Sequence, residues 1–222
     1  MSEDEGGAEG GRPDWFRHHG DDLSRLLSLS DGVFAFAFTL LVLQLTVPVI
    51  DTTGQSTGAV SRALAQALWG DLPAILAFAL GAVFIGLQWT VHHRTFRYIR
   101  RYDSPLLWLN LGFLATVAIN PFLLGVFIRY QETSTAVMLY GGGQAITVGL
   151  LALIWWYATW DRRLVDASLS GRLIEYYRYR GLIFPVAFAI SVGLAYLSAT
   201  LGELSWLAGF LAGGWLSRRY RS

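Results

Sequence analysis

The sequence predicts an all-α, polytopic membrane protein of six transmembrane helices with its N- and C-termini cytoplasmic. Three observations carry that expectation. Apolar residues make up 54% of the chain and charged residues 15%, short of the roughly 25% charged residues of soluble domains. The charges are segregated, which leaves apolar runs long enough to cross a bilayer at roughly 20 residues each. The arginines, finally, alternate between dense and sparse from one intervening stretch to the next.

Taken in order, residues 1–24 are rich in Gly, Asp and Glu and lack the apolar core of a signal peptide. They read as a disordered cytoplasmic tail, because they bury too little to offset their ordering entropy. Residues 25–222 then form the transmembrane domain. The first apolar segment covers 31–49 and closes at Pro48. The second covers 73–91, with Pro73 suited to a first helical turn, where its missing N–H costs nothing. The third, 105–128, contains Asn120-Pro121, a kink or an early end. The fourth covers 136–158 and the fifth 182–200. Between these two, residues 161–181 read as an arginine-rich linker. The sixth, 204–216, is short, and tilted, interfacial and spanning placements all stay open for it.

Orientation follows from arginine, since the chain contains no lysine. Fifteen of the seventeen basic residues precede the first segment, follow the sixth, or lie between segments two and three and between four and five. Only Arg62 and Arg129 fall on the opposite side. That asymmetry is the positive-inside pattern of an even number of spans with cytoplasmic termini. Trp69, Trp89, Trp108, Trp155, Trp156 and Trp160 fall mostly near segment ends, where amphipathic rings favour the headgroup level.

Several chemistries are disfavoured. There is no cysteine, so disulfide, thiolate and Cys-based metal chemistry are excluded. No paired carboxylates, metal-ligand spacing or nucleophile–base set shares a face, so no enzyme, cofactor or nucleic-acid partner is implied. Thr147-Val148-Gly149-Leu150 begins like a carbonyl-filter loop but lacks the following Tyr-Gly and lies inside an apolar run. Gly141-Gly142-Gly143-Gln144 lacks the Gly-Lys-Ser/Thr of a phosphate loop, and close helix packing explains those glycines better.

The informative stretch is Arg25-Leu26-Leu27-Ser28-Leu29-Ser30-Asp31-Gly32-Val33-Phe34-Ala35-Phe36-Ala37-Phe38-Thr39-Leu40-Leu41. Ser30 and Asp31 stand at the start of the first span, either as caps for orphan N–H groups or, beside Arg25, as an intramembrane functional pair. Leu29, Val33, Phe36, Leu40, Leu43 and Val47 share one helix face by their 4-3-4-3-4 spacing. In a membrane helix that periodicity fits a pore face and a lipid face equally.

This pattern, Arg-x-x-x-Leu-Ser-Asp-Gly-Val-x-Ala-x-Ala-x-Thr-Leu-Leu, strongly resembles the signature of the transmembrane-protein-175 family, the lysosomal potassium channels of animals and their shorter bacterial relatives. Trp89-Thr90-Val91-His92-His93-Arg94 is similar to that family's Trp-x-x-His-His-Arg stretch after its second helix. Leu107-Trp108-Leu109-Asn110-Leu111, leading to Asn120-Pro121-Phe122, is similar to its third helix. The resemblance covers the first three segments well, and the later ones only by helix count.

The resemblance implies a potassium-selective channel subunit that assembles as a homotetramer in the lipid bilayer, with the first helix of each copy lining a central pore for K+ ions. By position, Phe36 forms the narrowest ring, Leu40 and Leu43 form further apolar rings, and Thr39 forms a hydroxyl layer linked to selectivity. Arg25, Ser30, Asp31, Trp89, His92 and Asn110 form a polar network that braces the pore helix. For Thr39 the local alternative is back-bonding to the Ala35 carbonyl; for His92 and His93 it is anchoring at the boundary, whereas a braced imidazole titrates near neutrality. The family's usual Phe before Ser-Asp is Leu29 in this chain, and its usual Ile or Leu at the constriction is Phe36. A short form with one six-helix unit fits a bacterial plasma membrane. Two other classes stay open: a proton-coupled secondary transporter, disfavoured because every acidic residue sits near a segment end or in a loop, and a non-conducting accessory membrane protein.

Overall fold

The computed structural model describes residues 14–219, which fold into seven α-helices. They are α1 (Asp14–Val42), α2 (Thr57–Gly70), α3 (Leu72–Tyr98), α4 (Ser104–Tyr130), α5 (Ser134–Thr159), α6 (Gly171–Leu197) and α7 (Ala199–Arg219). Among the described residues, five helices are long and apolar enough to cross a membrane: Leu23–Val42, Leu72–Tyr98, Ser104–Tyr130, Ser134–Arg162 and Gly171–Leu197. Helix α7 has 21 residues, about 31 Å at 1.5 Å per residue.

Local chemistry explains most helix ends. Ser56, Asp103 and Thr133 sit at N-caps, and their side-chain oxygens accept from the N–H groups of Ala59, Leu106 and Ala136. Pro73 and Pro105 occupy first turns, as Pro73 was expected to. Helix α1 stops at Val42, short of the expected Val49. Its last carbonyls are taken by i→i+3 bonds from Leu43, Gln44 and Leu45 at 3.1–3.2 Å, the tightening common at helix ends.

Four further features differ from the sequence expectation. Helix α1 already begins at Asp14, inside the tail expected over residues 1–24, and residues 1–13 lie outside the described residues. Helix α2 was not foreseen, because it buries none of its residues and so leaves no stripe in an apolar sequence. Of the kink or early end expected at Asn120-Pro121, the early end does not occur, since α4 continues to Tyr130. There the Asn120 amide donates to the Thr116 carbonyl at 3.3 Å, supplying a side-chain bond beside the proline. The stretch expected as a linker over 161–181 is helical from Gly171 onward. Its arginines stay compatible with a helix by lying along the protein: Arg178 donates to the Thr159 carbonyl at 3.0 Å and sits 5.5 Å over the Trp156 ring.

Consecutive helices α3 to α7 pack on one another, and α1 folds back against α4 and α3. The core runs through Phe34, Ala37 and Leu41 of α1, Ile85 of α3 and Phe113, Leu114 and Val117 of α4. Small residues permit the closest approaches. At Gly202 a Cβ would lie 2.8 Å from the Ala195 Cβ and 2.9 Å from Val137, so α7 can lie against α5 and α6 only without a side chain at that position.

Candidate functional site

Helix α1 is two-faced. Leu26, Ser30, Phe34, Ala37 and Leu41 are buried, and their 4-4-3-4 spacing forms one stripe against α3 and α4. The other face is open: Phe36 is 61% exposed and Leu43 73% exposed. Thr39 is exposed and Leu40 half-buried. Leu43 lies in the turn that follows the helix rather than within it. The Thr39 hydroxyl donates to the Phe36 carbonyl at 2.8 Å, rather than to the Ala35 carbonyl of the local alternative. With its proton so used, the oxygen lone pairs remain available on the open face.

A chain of polar groups anchors the buried face. Ser30 donates from Oγ to the Leu26 carbonyl at 2.9 Å. The same oxygen accepts from Asn110 Nδ2 at 3.1 Å, and Asn110 Oδ1 lies 2.9 Å from His92 Nε2. This directionality sets the histidine tautomer: since the Asn110 carbonyl oxygen can only accept, His92 carries its proton on Nε2. All three side chains are essentially buried. The imidazole stacks on Phe113 at 5.4 Å and touches Phe34 and Phe96 at 5.7 and 4.4 Å, so water cannot replace a lost partner there.

A second link is more exposed. Trp89 Nε1 donates to Asp31 Oδ1 at 2.8 Å, and the Trp89 ring stacks on His93 at 5.3 Å. Ser30, Asp31, Trp89, His92 and Asn110 are therefore brought together at one junction of α1, α3 and α4. Arg25 is not: it is exposed and bonds to none of these groups among the described residues.

Sequence reasoning missed a second buried network. Gln88 Nε2 donates to Gln144 Oε1 at 2.8 Å, and Gln144 Nε2 donates to Asn120 Oδ1 at 2.6 Å. These bonds tie α3, α5 and α4 together. The available signal was a carboxamide inside an apolar run, which needs a partner in any membrane helix. The glycines beside Gln144 act as packing positions, as expected: a Cβ at Gly141 would lie 2.6 Å from Ser191 Oγ.

Residues 25–121 match the family model described as the endosomal/lysosomal potassium channel TMEM175. A potassium channel of Streptomyces collinus is 30% identical over 185 residues, covering 82% of this chain and 86% of that protein. A potassium channel of Chamaesiphon minutus is 31% identical over 187 residues, covering 80% and 88%. The crystal structure of a lysosomal potassium-selective channel TMEM175 homologue from Chamaesiphon minutus superposes with a TM-score of 0.70 at 24% identity, covering 91% of this chain and all of that one. The segment spanned by the family model holds the whole polar junction of α1, α3 and α4, and the likeness to the Streptomyces protein extends over most of both chains: this multi-pass membrane protein belongs to the TMEM175 family.

Proposed function

We propose that the chain is the subunit of a potassium-selective channel in a bacterial plasma membrane, with residues 25–222 as its channel domain. In this reading it has six spans, α7 being the sixth, cytoplasmic termini, and a homotetrameric assembly whose central pore is lined by α1. The carrying observation is the two-faced α1. One face is held in the bundle by apolar packing and by the Ser30–Asn110–His92 chain. The other leaves Phe36 and Leu43 uncovered, with the Thr39 hydroxyl between them. In a lipid-facing helix such residues need no partner, but a helix pinned by buried polar bonds is a rigid element on which a narrow pore can be built.

The relatives support the ion: the proteins of Streptomyces collinus and Chamaesiphon minutus are named potassium channels. A ring of Phe36 side chains excludes water when narrow and gates by dewetting. An ion crossing it sheds water, and potassium surrenders water more readily than sodium. Thr39, one turn further along α1, offers lone pairs at that point because its proton is engaged by the Phe36 carbonyl. Ser30, Asp31, Trp89, His92 and Asn110 brace the pore helix without touching the ion, and Arg25 contributes charge at the mouth.

The test is cation flux through purified protein in liposomes, with potassium and sodium gradients compared. Potassium flux should exceed sodium flux. Phe36→Ala should raise both, and Thr39→Ala should lower the preference for potassium without altering assembly. Equal flux of the two ions, or reversal potentials unmoved by Thr39→Ala, would remove the selectivity assignment. An absence of flux in correctly assembled protein and in Phe36→Ala alike would favour the accessory role.

A further inference from the structure

A cleft in the bundle lies away from α1. It runs between α3, α5, α6 and the later part of α7, has a volume of about 310 Å³ and is mostly apolar, with Leu87, Val91, Val148 and Phe184 on its walls. Two aromatic contacts bound it. At the arginine-rich end the Tyr98 and Tyr177 rings are 6.1 Å apart. At depth the Phe84 and Phe188 rings close it at 5.8 Å.

Two cations line this cleft, Arg94 of α3 and Arg180 of α6. The helices are antiparallel, so Arg94, four residues before Tyr98, and Arg180, three residues after Tyr177, each stand about one turn inward from the tyrosine pair. They therefore face the cleft at the same depth. Both are half-buried, and neither has a carboxylate within ion-pair distance among the described residues. Arg180 donates to the Tyr176 hydroxyl, at 2.9 Å. From Arg94 to Phe84 the α3 wall descends about 15 Å, which is half of the roughly 30 Å hydrocarbon core, or one leaflet.

The geometry points to a binding site for one anionic phospholipid of the arginine-rich leaflet. Its phosphate is held by Arg94 and Arg180, and an acyl chain lies in the cleft down to the Phe84–Phe188 floor. Guanidinium pairs suit phosphate through charge-assisted hydrogen bonds, and long arginine stems let the heads reach the headgroup level while their methylenes line the apolar wall. A peptide segment fits less well, since its backbone N–H and C=O groups would be left unsatisfied against an apolar wall. A zwitterionic lipid fits less well too, because its own cation would meet the second arginine.

Native mass spectrometry of the intact chain, released from bilayers of mixed phosphatidylcholine and phosphatidylglycerol, reads the site directly. One phosphatidylglycerol per chain should be retained in preference to phosphatidylcholine. The double variant Arg94→Gln/Arg180→Gln should weaken that retention about thirty-fold, the combined effect of two interfacial arginines. Arg94→Lys/Arg180→Lys should keep most of it. Leu87→Trp, which fills the cleft and leaves the charges in place, should also release the lipid. Equal retention of both lipids, or phosphatidylglycerol held as firmly by the double Gln variant as by the parent chain, would overturn the site. Loss in the double Gln variant with full retention in Leu87→Trp would assign the arginines to general surface attraction and overturn the cleft as the binding place.

Discussion

Asn110 uses both ends of its carboxamide, donating to Ser30 and accepting from His92. Asn110→Leu keeps the volume but strands the His92 N–H among Phe34, Phe96 and Phe113. An unpaired buried polar group costs about 1–3 kcal/mol, and polar bonds between membrane helices average nearer 0.6 kcal/mol because the unfolded chain also finds partners. The expected loss is about 1–3 kcal/mol, read as a lower thermal midpoint in detergent. Trp89→Phe, whose bond to Asp31 is exposed, should cost under about 1 kcal/mol by the same measure. Equal midpoints for the two variants would mean that the buried chain contributes no more than the exposed bond. The members of this junction, Arg25 apart, were expected only because their short motifs resemble those of the family. The Gln88–Gln144–Asn120 network could not be read from the sequence, since 56 residues separate Gln88 from Gln144 and nothing local links them.

At the scale of elements, apolar runs located the five helices long and apolar enough to span, while their ends depended on contacts that a run of residues does not contain. Helix α6 was placed eleven residues late because Arg172, Arg178 and Arg180 read as loop, although Ile174 of the same turns is buried and its carbonyl accepts from Trp155 at 3.2 Å. Helix α2 escaped notice because its exposed Leu64, Leu68 and Trp69 are too few to form a span. The α6–α7 hairpin offers a test of how tightly these elements are fitted. A Cβ at Gly202 would lie 2.8 Å from Ala195 and 3.1 Å from the Ser191 carbonyl, whereas at Gly193 nothing lies within 4 Å. Gly202→Ala should therefore destabilise by about 1–3 kcal/mol through overpacking. Gly193→Ala should be neutral or stabilise by up to about 1 kcal/mol through helix propensity. Thermal midpoints compare the two, and a harmless Gly202→Ala would mean that α7 can shift outward freely.

At the scale of the whole molecule, the two central arginine-rich connections meet. Arg100 and Arg101 donate their N–H groups to the Leu164 carbonyl at 2.9 and 3.3 Å, and Arg163 pairs with Asp103 at 2.9 Å. The α3–α4 and α5–α6 connections thus share one end of the bundle, the arrangement that the arginine asymmetry requires. An exposed ion pair of this kind contributes little stability, so its value is as a marker of sidedness. Which side faces the cytoplasm follows from the positive-inside rule and can be measured directly, because the chain has no cysteine. Single cysteines report sidedness to a membrane-impermeant maleimide: Gln55→Cys and Ala167→Cys, at exposed positions before α2 and before α6, and Ser222→Cys at the last residue of the sequence. Gln55→Cys should label in intact cells, and the other two only after permeabilisation. Labelling of both Gln55→Cys and Ala167→Cys from outside would mean that one of the three apolar helices α3, α4 and α5 between them does not cross. The reverse pattern for these two would invert the molecule. External labelling of Ser222→Cys alongside the expected result for the others would mean that α7 does not complete a sixth crossing, leaving the five apolar helices as the spans and an odd number of them to reconcile with fifteen arginines on one side.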